Sequence, residues 1–309
     1  METRTYAGRE LSRLMMGTAQ LGLPSYGIAN QTGQPSYAEA RALVACAFEG
    51  GVTGIDTAAV YGTSEEILGR ILAELRIADQ VMVVSKVMHL ADHLDAAAAA
   101  AAVEASVTRS LRRLRLEQLP VCLFHLESNF CYHEALLRLK ERGLVGHIGS
   151  SVMTLEATAA MIAGGQAEAL QIPTNVLDRR YTGAGLCRQA AQRGMAVFVR
   201  SIYLQGLLLL SDEATPPELA GVNPVRRCLR ALAEEAGMGL AELAARYILG
   251  LEGVTCAVIG VETVDQMRQN LALFGRGPLP ADLQQAVEGA VPDLPDRILM
   301  PTLWPRQSR

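Results

Sequence analysis

Short apolar runs alternate with amphipathic stretches along the chain, at a spacing of roughly 30 to 45 residues. Each run is almost continuously apolar, which is typical of parallel strands that are buried on both faces of a sheet. We count eight such runs, at residues 14–17, 52–56, 81–86, 120–125, 147–151, 169–173, 196–200 and 255–260. The pattern therefore predicts eight strands that are separated by helices.

The stretches between the runs carry helix signals. Residues 36–39 (Ser-x-x-Glu) form a capping-box pattern, and an apolar stripe with helical spacing follows them. Residues 63–66 (Thr-x-x-Glu) repeat this pattern before a second stripe. The alanine tract at 96–102 follows Asp95 and continues into further apolar positions. We interpret it as part of one long helix rather than as low-complexity sequence.

Eight strand-then-helix units without a composition break or linker favour one (β/α)8 TIM barrel, of the α/β class, over an open sheet. A doubly wound sheet is the structural alternative. We expect a single domain over residues 1–309, with a long loop after the seventh strand at 201–223 and a C-terminal tail over about 274–309. Long insertions in a compact domain are often lids or binding loops.

Composition and charge exclude several classes of protein. Half of the 309 residues are apolar and 19% are charged, as in a packed globular protein. The apolar runs are shorter than the ~20 residues of a membrane helix, and the N-terminus lacks a signal-peptide pattern, so we expect a cytoplasmic protein. The 26 Arg and two Lys are outnumbered by 32 acidic residues, which disfavours nucleic-acid binding. The six cysteines form no Cys-x-x-Cys pair, which disfavours a metal cluster or a disulfide framework.

Polar residues follow nearly every apolar run. In a barrel of this kind, the C-terminal strand ends and the loops behind them build the active site. Polar groups are costly in a buried core unless they pair with one another or serve a ligand. The residues at these positions are Gly17 and Thr18, Asp56, Lys86, His125, Ser150 and Ser151, Gln171 with Asn175, Arg200 and Ser201, and Gly260.

Three of these residues form a chemical set with Tyr61, which lies five residues past Asp56. A free tyrosine has a pKa of about 10 and delivers protons poorly at neutral pH. The Lys86 ammonium could favour the phenolate by up to ~4 kcal/mol at ~4 Å and an effective dielectric of ~20, and Asp56 would keep that lysine charged. His125 could donate a hydrogen bond to an oxygen on which negative charge develops. The set is suited to delivering a proton to a carbonyl oxygen.

At these residues the chain resembles the aldo-keto reductases. The match is collinear from about residue 13 to 273, and its most specific block is Asp-Thr-Ala-x-x-Tyr-Gly-x-Ser-Glu at 56–65. The other matching segments are Gly-Thr-Ala-Gln-Leu-Gly at 17–22, Leu-Gly at 68–69, Val-Ser-Lys at 84–86, Phe-His at 124–125, Gln-Ile-Pro-Thr-Asn at 171–175 and the stretch 260–270. The resemblance implies an NAD(P)-dependent oxidoreductase with Tyr61 as general acid, tuned by Lys86 and Asp56, and with His125 orienting the carbonyl.

The resemblance also implies a set of cofactor contacts. The family usually takes NADP(H). The residues that stand where the family holds the nicotinamide, pyrophosphate and adenosine are Gly17, Thr18, Asp56, Ser151, Gln171, Arg200, Ser201, Leu204, Gly206, Gly260, Glu262, Gln266, Gln269 and Asn270.

Three departures from the family pattern affect this cofactor prediction. Val152 replaces an asparagine that commonly holds the carboxamide, and Arg200 replaces an aromatic ring that many members stack on the nicotinamide. Gly260 and Gln266 stand where many members carry the Lys and Arg that clamp the 2′-phosphate, with Glu262 close by. A carboxylate there would repel a phosphate and could accept ribose hydroxyls, which tilts the prediction slightly towards tolerance of NAD(H).

Several of these residues also have ordinary structural interpretations. Gln266 lies in a Thr263-x-x-Gln266 capping pattern, which can satisfy a helix N-terminus as well as an adenosine. Arg200 is equally well interpreted as a buried ion-pair partner or as a ligand contact. Tyr26 and Trp304 are candidate substrate-pocket walls, although packing on the barrel rim is the more ordinary use of such rings. His89 and His93 have a helical i, i+4 spacing, but no third ligand is evident, so we expect no metal.

Three functions are consistent with the sequence. The first is a reductase that transfers hydride to an aldehyde or ketone, or oxidises the alcohol. The second is a non-catalytic nicotinamide-binding regulatory or sensor subunit, and the third is Schiff-base chemistry at Lys86, which needs a neutral amine that Asp56 opposes. The expected substrate is a small carbonyl or sugar-like molecule, for which Arg200 suits an acidic or polyhydroxylated compound. The sequence leaves the substrate, the physiological direction and the oligomeric state open.

Overall fold

Eight parallel strands close into a barrel in chain order, in a computed structural model that describes residues 1–24, 26–28 and 33–304. The last strand pairs with the first, with Gly260 opposite Gly17. The strands are Leu14–Gly17, Gly54–Asp56, Met82–Val87, Leu119–Phe124, Val145–Ser151, Ala169–Pro173, Ala196–Arg200 and Cys256–Gly260. They differ from the predicted runs by no more than two residues at either end. The (β/α)8 barrel prediction is confirmed, and the open-sheet alternative is wrong.

Helices surround the barrel. The α-helices are Ala19–Gly22, Tyr37–Glu49, Ser64–Leu75, Ala96–Leu114, His133–Glu141, Leu155–Gly164, Arg180–Gly183, Leu186–Gln192, Asn223–Glu235, Leu240–Gly250, Val264–Phe274, Ala281–Ala290 and Asp296–Leu299. Short 3₁₀ segments cover Glu127–Tyr132, Leu204–Leu209, Pro217–Val222 and Pro301–Leu303. Among the described residues, no helix combines the length and the apolar character needed to cross a membrane.

Two of the predicted helix starts are confirmed. Ser36 accepts a hydrogen bond from the Glu39 backbone N–H at 3.3 Å, and the Glu39 carboxylate accepts one from the Ser36 N–H at 2.8 Å. Asp95 accepts from the Ala98 N–H at 2.8 Å, and the alanine tract forms one helix that continues to Leu114. These side chains satisfy backbone donors that a helix N-terminus leaves open.

The capping box predicted at Thr63 is wrong. The backbone of Thr63 has φ −91° and ψ 4°, outside the extended region that an N-cap side chain needs to reach back to the first turn. Its hydroxyl instead accepts a hydrogen bond from the Gln34 amide at 3.1 Å, and Glu66 pairs with Arg113 at 3.2 Å. The helix still begins at Ser64.

An antiparallel hairpin, Thr3–Tyr6 with Arg9–Ser12, precedes the barrel. Its two turn residues, Ala7 and Gly8, both have positive φ angles of 53° and 71°, the backbone of a tight hairpin turn. Tyr6 and Leu11 pack against the residues inside the barrel, and the Tyr6 hydroxyl donates to the Glu168 carbonyl at 3.1 Å. The hairpin therefore fills the end of the barrel at which the strands begin. The apolar pattern does not predict the hairpin, because each of its two strands contributes only one apolar residue, Tyr6 or Leu11, to the barrel interior.

The predicted long connection after the seventh strand is confirmed. It consists of two 3₁₀ segments that are held by Arg226, a fully buried side chain of the following helix. This guanidinium donates to the Leu207 carbonyl at 2.7 Å and to the Thr215 hydroxyl at 2.6 Å, and it pairs with Asp212 at 3.0 Å. The segment is thus anchored at several points along its length.

The predicted tail contains regular structure. Its Ala281–Ala290 helix packs against the Asn223–Glu235 helix, and its Val287 is fully buried. Arg179 ties the tail down by donating to the Glu288 and Val291 carbonyls at 2.7 and 2.6 Å. The last five positions of the predicted tail, 305–309, lie outside the described residues.

Leu11→Ala tests the packing of the hairpin against the barrel interior. Leu11 is 1% exposed, so its truncation should lower the free energy of unfolding by about 2–5 kcal/mol. The measurement is urea denaturation. Arg4→Ala, on the exposed part of the same hairpin, is the matched control and should change stability by no more than about 0.5 kcal/mol. Equal effects of the two variants would show that the hairpin does not contribute to the core.

Candidate active site

A cavity of about 380 Å³ opens at the end of the barrel where the strands finish. Strand ends, the connection after the seventh strand and the Val264–Phe274 helix all contribute to its wall. The lining residues are Gly17, Thr18, Ala19, Gln20, Tyr26, Gly27, Asp56, Tyr61, Gln171, Arg200, Ser201, Ile202, Tyr203, Gln205, Gly206, Leu209, Ala241, Val258, Ile259, Gly260, Val261, Glu262, Gln266, Gln269, Asn270 and Leu273.

Asp56 and Lys86 form a buried ion pair in the floor of this cavity. The lysine Nζ donates to both carboxylate oxygens, at 2.7 and 2.8 Å, and to the Thr57 carbonyl at 2.8 Å. The carboxylate also accepts a hydrogen bond from the Gln171 amide at 2.7 Å. The Nζ therefore has three acceptors around it, which matches the three donors of an ammonium group.

Tyr61 lies on the loop that follows the second barrel strand. Its backbone is fixed by hydrogen bonds to Ala58 and Ser64 and by the close packing of two glycines, Gly22 and Gly62. A Cβ on Gly22 would overlap the Tyr61 carbonyl, and one on Gly62 would overlap the Gly22 carbonyl. Gly62 also has a φ of +54°, which favours glycine. The phenol ring then lies 5.2 Å from the Lys86 Nζ, measured to the ring centroid.

The pKa of Tyr61 is raised above its ordinary value of 10. Burial is the largest cause and the negative charge of Asp56 the second, while the positive charge of Arg200 acts in the opposite direction. The net direction is thus opposite to the lowering of the pKa predicted from Lys86, because burial outweighs the effect of nearby positive charge. Tyr61 is therefore a neutral phenol at neutral pH, the form that can donate a proton.

His125 completes the group. Its ring lies edge-on to Tyr61, with 5.7 Å between ring centroids, and Nδ1 is buried without a hydrogen-bond partner among the described residues. Burial lowers the pKa of His125 to about 2, and the charges of Lys86, His89 and Arg200 act in the same direction. The imidazole is consequently neutral, with one nitrogen able to donate and the other able to accept. The structure thus brings together all four residues of the predicted set.

His89 is a neighbour of this group that the sequence interpretation missed. Residues 88–95 are not helical, and His93 has a φ of +60°, so the i, i+4 spacing does not bring the two histidines together. The His89 ring instead lies 5.0 Å from that of His125. Its place three residues past Lys86, just beyond a strand end, is the only signal in the sequence that points to it. Among the described residues, no cluster of three or more potential ligands could hold a metal.

Twelve of the fourteen predicted cofactor residues line the cavity; Ser151 and Leu204 do not. Ser151 is 4% exposed and lies one strand away from the cavity surface, beside Gln171. Leu204 is 1% exposed and turns into the hydrophobic core.

Gln20 and Tyr203 also line the cavity, although neither is among the individual cofactor residues predicted above; Tyr203 lies within the 201–206 loop expected to hold the cofactor. The Gln20 side chain is 8% exposed, and its Oε1 has no partner among the described residues. It lies so close to Gly260 that a Cβ there would overlap the amide. Tyr203 donates to Asn270 at 3.0 Å, which fixes the side of the cavity formed by the Val264–Phe274 helix. Neither residue stands at a strand end, so strand-end reasoning overlooks both.

Gln266 has the helix-capping role expected for it, and its predicted contact with adenosine stays a prediction. The Thr263 hydroxyl accepts from the Gln266 N–H at 3.2 Å, and the Gln266 side chain accepts from the Glu262 N–H at 2.7 Å. The residue therefore stabilises the helix N-terminus while it also lines the cavity.

The two aromatic candidates differ in position. Tyr26 lines the cavity and lies 6.3 Å from Tyr61, measured between ring centroids. Trp304 is not part of the lining. Its indole N–H donates to the Ile298 carbonyl at 3.2 Å, so it packs within the tail.

Arg200 lines the cavity and contacts neutral groups of the described residues. Its guanidinium donates to the Val152 carbonyl at 3.2 Å and contacts the Met153 sulfur at 2.8 Å and the Ser201 hydroxyl at 3.5 Å. No carboxylate of the described part of the chain lies within ion-pair distance of it. Its interpretation as a buried ion-pair partner is therefore wrong, and a ligand contact stays the alternative.

Several known proteins are similar to this chain in sequence or in fold. A model of the aldo/keto reductase family matches residues 13–291, most of the chain, and confirms the resemblance seen in the sequence. The L-glyceraldehyde 3-phosphate reductase of Escherichia coli strain K12 is 26% identical over 297 residues, which cover 82% of this chain and 85% of that protein. The enzyme of the same name from Escherichia coli O157:H7 is 25% identical over the same length.

Solved structures share the fold at lower identity. The holo form of the aldo-keto reductase AKR11C1 from Bacillus halodurans superposes with a TM-score of 0.78 at 22% identity, covering 95% of this chain and 97% of that one. The glycerol dehydrogenase AKR11B4 from Gluconobacter oxydans superposes with a TM-score of 0.75 at 22% identity, covering 100% and 98% of the two chains.

The neutral His125 should make folding stability depend on pH in the acid range. Its ordinary pKa is 6.5 and its folded value about 2, so between these values the unfolded chain binds a proton that the folded protein does not. Stability should therefore fall as the pH drops below about 6.5, by up to about 1.4 kcal/mol per pH unit. In urea unfolding at pH 7 and pH 5, His125→Gln should lose less stability between the two conditions than the wild type.

The control for this measurement is His93→Asn, which removes an exposed histidine at a positive φ that asparagine tolerates. This variant should keep the wild-type pH dependence. The same dependence in His125→Gln would contradict a neutral, buried imidazole.

Proposed function

The chain belongs to the aldo/keto reductase family and is an NAD(P)-dependent oxidoreductase, and from this premise we propose that it reduces an aldehyde or ketone with Tyr61 as the general acid. The observation that carries the proposal is the convergence of Asp56, Tyr61, Lys86 and His125 at one end of the barrel. The same groups serve alcohol oxidation in the reverse direction.

The cavity residues fit a nicotinamide dinucleotide. Gly17 and Gly260 stand opposite each other at the ends of two adjacent strands. A side chain at either position would contact neighbouring atoms, so glycine keeps the backbone accessible from the cavity. Gln20 Oε1 is a buried acceptor that has no partner among the described residues, and a bound ligand can satisfy it. Gln266 and Gln269, on the helix that follows Thr263, line the cavity with further hydrogen-bonding side chains. When bound, the reduced nicotinamide supplies the hydride that reaches the carbonyl carbon.

The protein's part in the reaction concerns the carbonyl oxygen. The neutral His125 donates a hydrogen bond that orients this oxygen, and the Tyr61 hydroxyl gives it a proton as negative charge develops there. The phenolate that remains lies near the Lys86 ammonium, which stabilises it electrostatically. Asp56 keeps that ammonium charged and in place throughout.

The ion pair also argues against Schiff-base chemistry. A nucleophilic lysine must lose its proton and point its lone pair at a substrate. The Lys86 Nζ is instead surrounded by three acceptors within 2.8 Å. Borohydride trapping should therefore give no adduct on this residue.

A small, sugar-like carbonyl compound is the substrate class that we favour. Two of the proteins similar to this chain are named for small polyhydroxylated compounds, L-glyceraldehyde 3-phosphate and glycerol. The glutamine side chains that line the cavity can hydrogen-bond to hydroxyl groups.

Tyr61→Phe tests the proposed acid. Because general acid catalysis contributes about 10²- to 10⁴-fold, the variant should lose activity by that factor while its Kd for the dinucleotide stays within about twofold of the wild-type value. Activity is followed as cofactor oxidation over a panel of sugars, keto acids and aromatic aldehydes. Full activity in the variant would contradict the assignment. A wild-type protein that binds the cofactor but reduces nothing in the panel would support the regulatory alternative.

The predicted tolerance of NAD(H) is tested by the Kd values of the two oxidised dinucleotides. With no Lys or Arg at positions 260 and 266, and with Glu262 on the cavity wall, we expect the two values to lie within about tenfold. Glu262→Gln should improve the binding of the phosphorylated form selectively, because it removes a repulsive charge. Asp265→Asn, an exposed acid outside the cavity, is the control. Wild-type binding more than tenfold tighter for NADP⁺ would contradict the prediction.

A further inference from the structure

Arg200 places a positive charge beside Tyr61 that no carboxylate of the described residues pairs with. Only three charged residues line the described cavity: Asp56, Arg200 and Glu262. The charge of Asp56 is balanced by Lys86 at 2.7 Å. Arg200 makes its contacts with a carbonyl, a hydroxyl and a sulfur, none of which carries a negative charge.

The field of Arg200 extends to the residues that hold the carbonyl. It lowers the pKa values of Tyr26, Tyr61 and His125, although burial dominates each of them. The part of the cavity next to Tyr61 therefore carries the positive charge of Arg200, while Glu262 lies with Gln266 at the helix start.

We propose that Arg200 makes the site selective for the reduced form of the nicotinamide dinucleotide over the oxidised form. The inference rests on the proposed function, because a hydride donor must lie beside the carbonyl that Tyr61 and His125 hold. The nicotinamide ring is neutral when reduced and positively charged when oxidised. A cation in the same low-dielectric region opposes only the oxidised ring.

The ratio of two dissociation constants isolates this effect. The pyrophosphate and adenosine are the same in both forms, so any attraction between Arg200 and the phosphates cancels in the ratio. What remains is the interaction with the charge of the ring. At the separations within one cavity, and at an effective dielectric of about 20, a single charge can change the ratio by on the order of tenfold or more.

The experiment measures Kd for the reduced and oxidised dinucleotides by isothermal titration calorimetry, which requires no turnover. The wild-type protein should bind the reduced form at least tenfold more tightly. Arg200→Met, which removes the charge and keeps most of the side-chain length, should reduce that preference about tenfold. Arg200→Lys keeps the charge and should retain the preference. Arg70→Met, an exposed arginine paired with Glu74, is the control and should behave as the wild type.

Arg200→Gln provides a second neutral variant, which keeps a hydrogen-bond donor in the side chain. It should lose the preference in the same way as Arg200→Met. If either neutral variant folds and keeps the wild-type ratio, the proposal is wrong. It is also wrong if the ratio is unchanged while kcat/KM falls only for anionic aldehydes, since the charge would then serve the substrate. Failure of the wild type to bind either dinucleotide would instead overturn the proposed function.

Discussion

The ion pair between Asp56 and Lys86 determines how the open end of the barrel is built. Removing two charges from water costs several kcal/mol per ion, and their attraction offsets this only when the remaining donors and acceptors are satisfied. Here the Thr57 carbonyl and the Gln171 amide supply those contacts. The loop that begins at Thr57 is bonded to the strand of Lys86 a second time, through the Ala59 N–H and the Lys86 carbonyl at 3.2 Å. Satisfying the pair therefore also fixes the path of the loop that carries Tyr61.

The two ends of the barrel are stabilised in different ways. At one end, the hairpin places Tyr6 and Leu11 against an apolar interior, so this end is sealed by packing. At the other end, polar side chains replace apolar ones at the last inward-facing position of several strands. These groups pair with one another or face the cavity. Two buried atoms near them, Gln20 Oε1 and His125 Nδ1, have no hydrogen-bond partner in the described part of the chain. The reactive groups therefore lie at the end of the barrel where polar side chains take the place of apolar packing.

The barrel could be predicted closely because its strands are buried on both faces and read as continuous apolar runs. The residues of the catalytic set could be predicted because each stands at or just after a strand end. The hairpin could not, since its turn is short and only single residues of its strands face the core. Gln20, Tyr203 and His89 depend on how loops fold over the strand ends, which periodicity does not encode. The direction of the Tyr61 pKa shift also could not be anticipated, because it depends mainly on how deeply the ring is buried.

The contact between Gly22 and Gly62 has a consequence for how members of such a family diverge. The position of the phenol depends on the absence of two side chains, at positions that carry no reactive group. A chain could keep all four reactive residues and still hold the tyrosine out of line if either glycine were replaced by a residue with a Cβ. Such a protein would have all four reactive residues at the expected positions of an alignment and would still be inactive. The cause would be the backbone packing rather than the reactive groups.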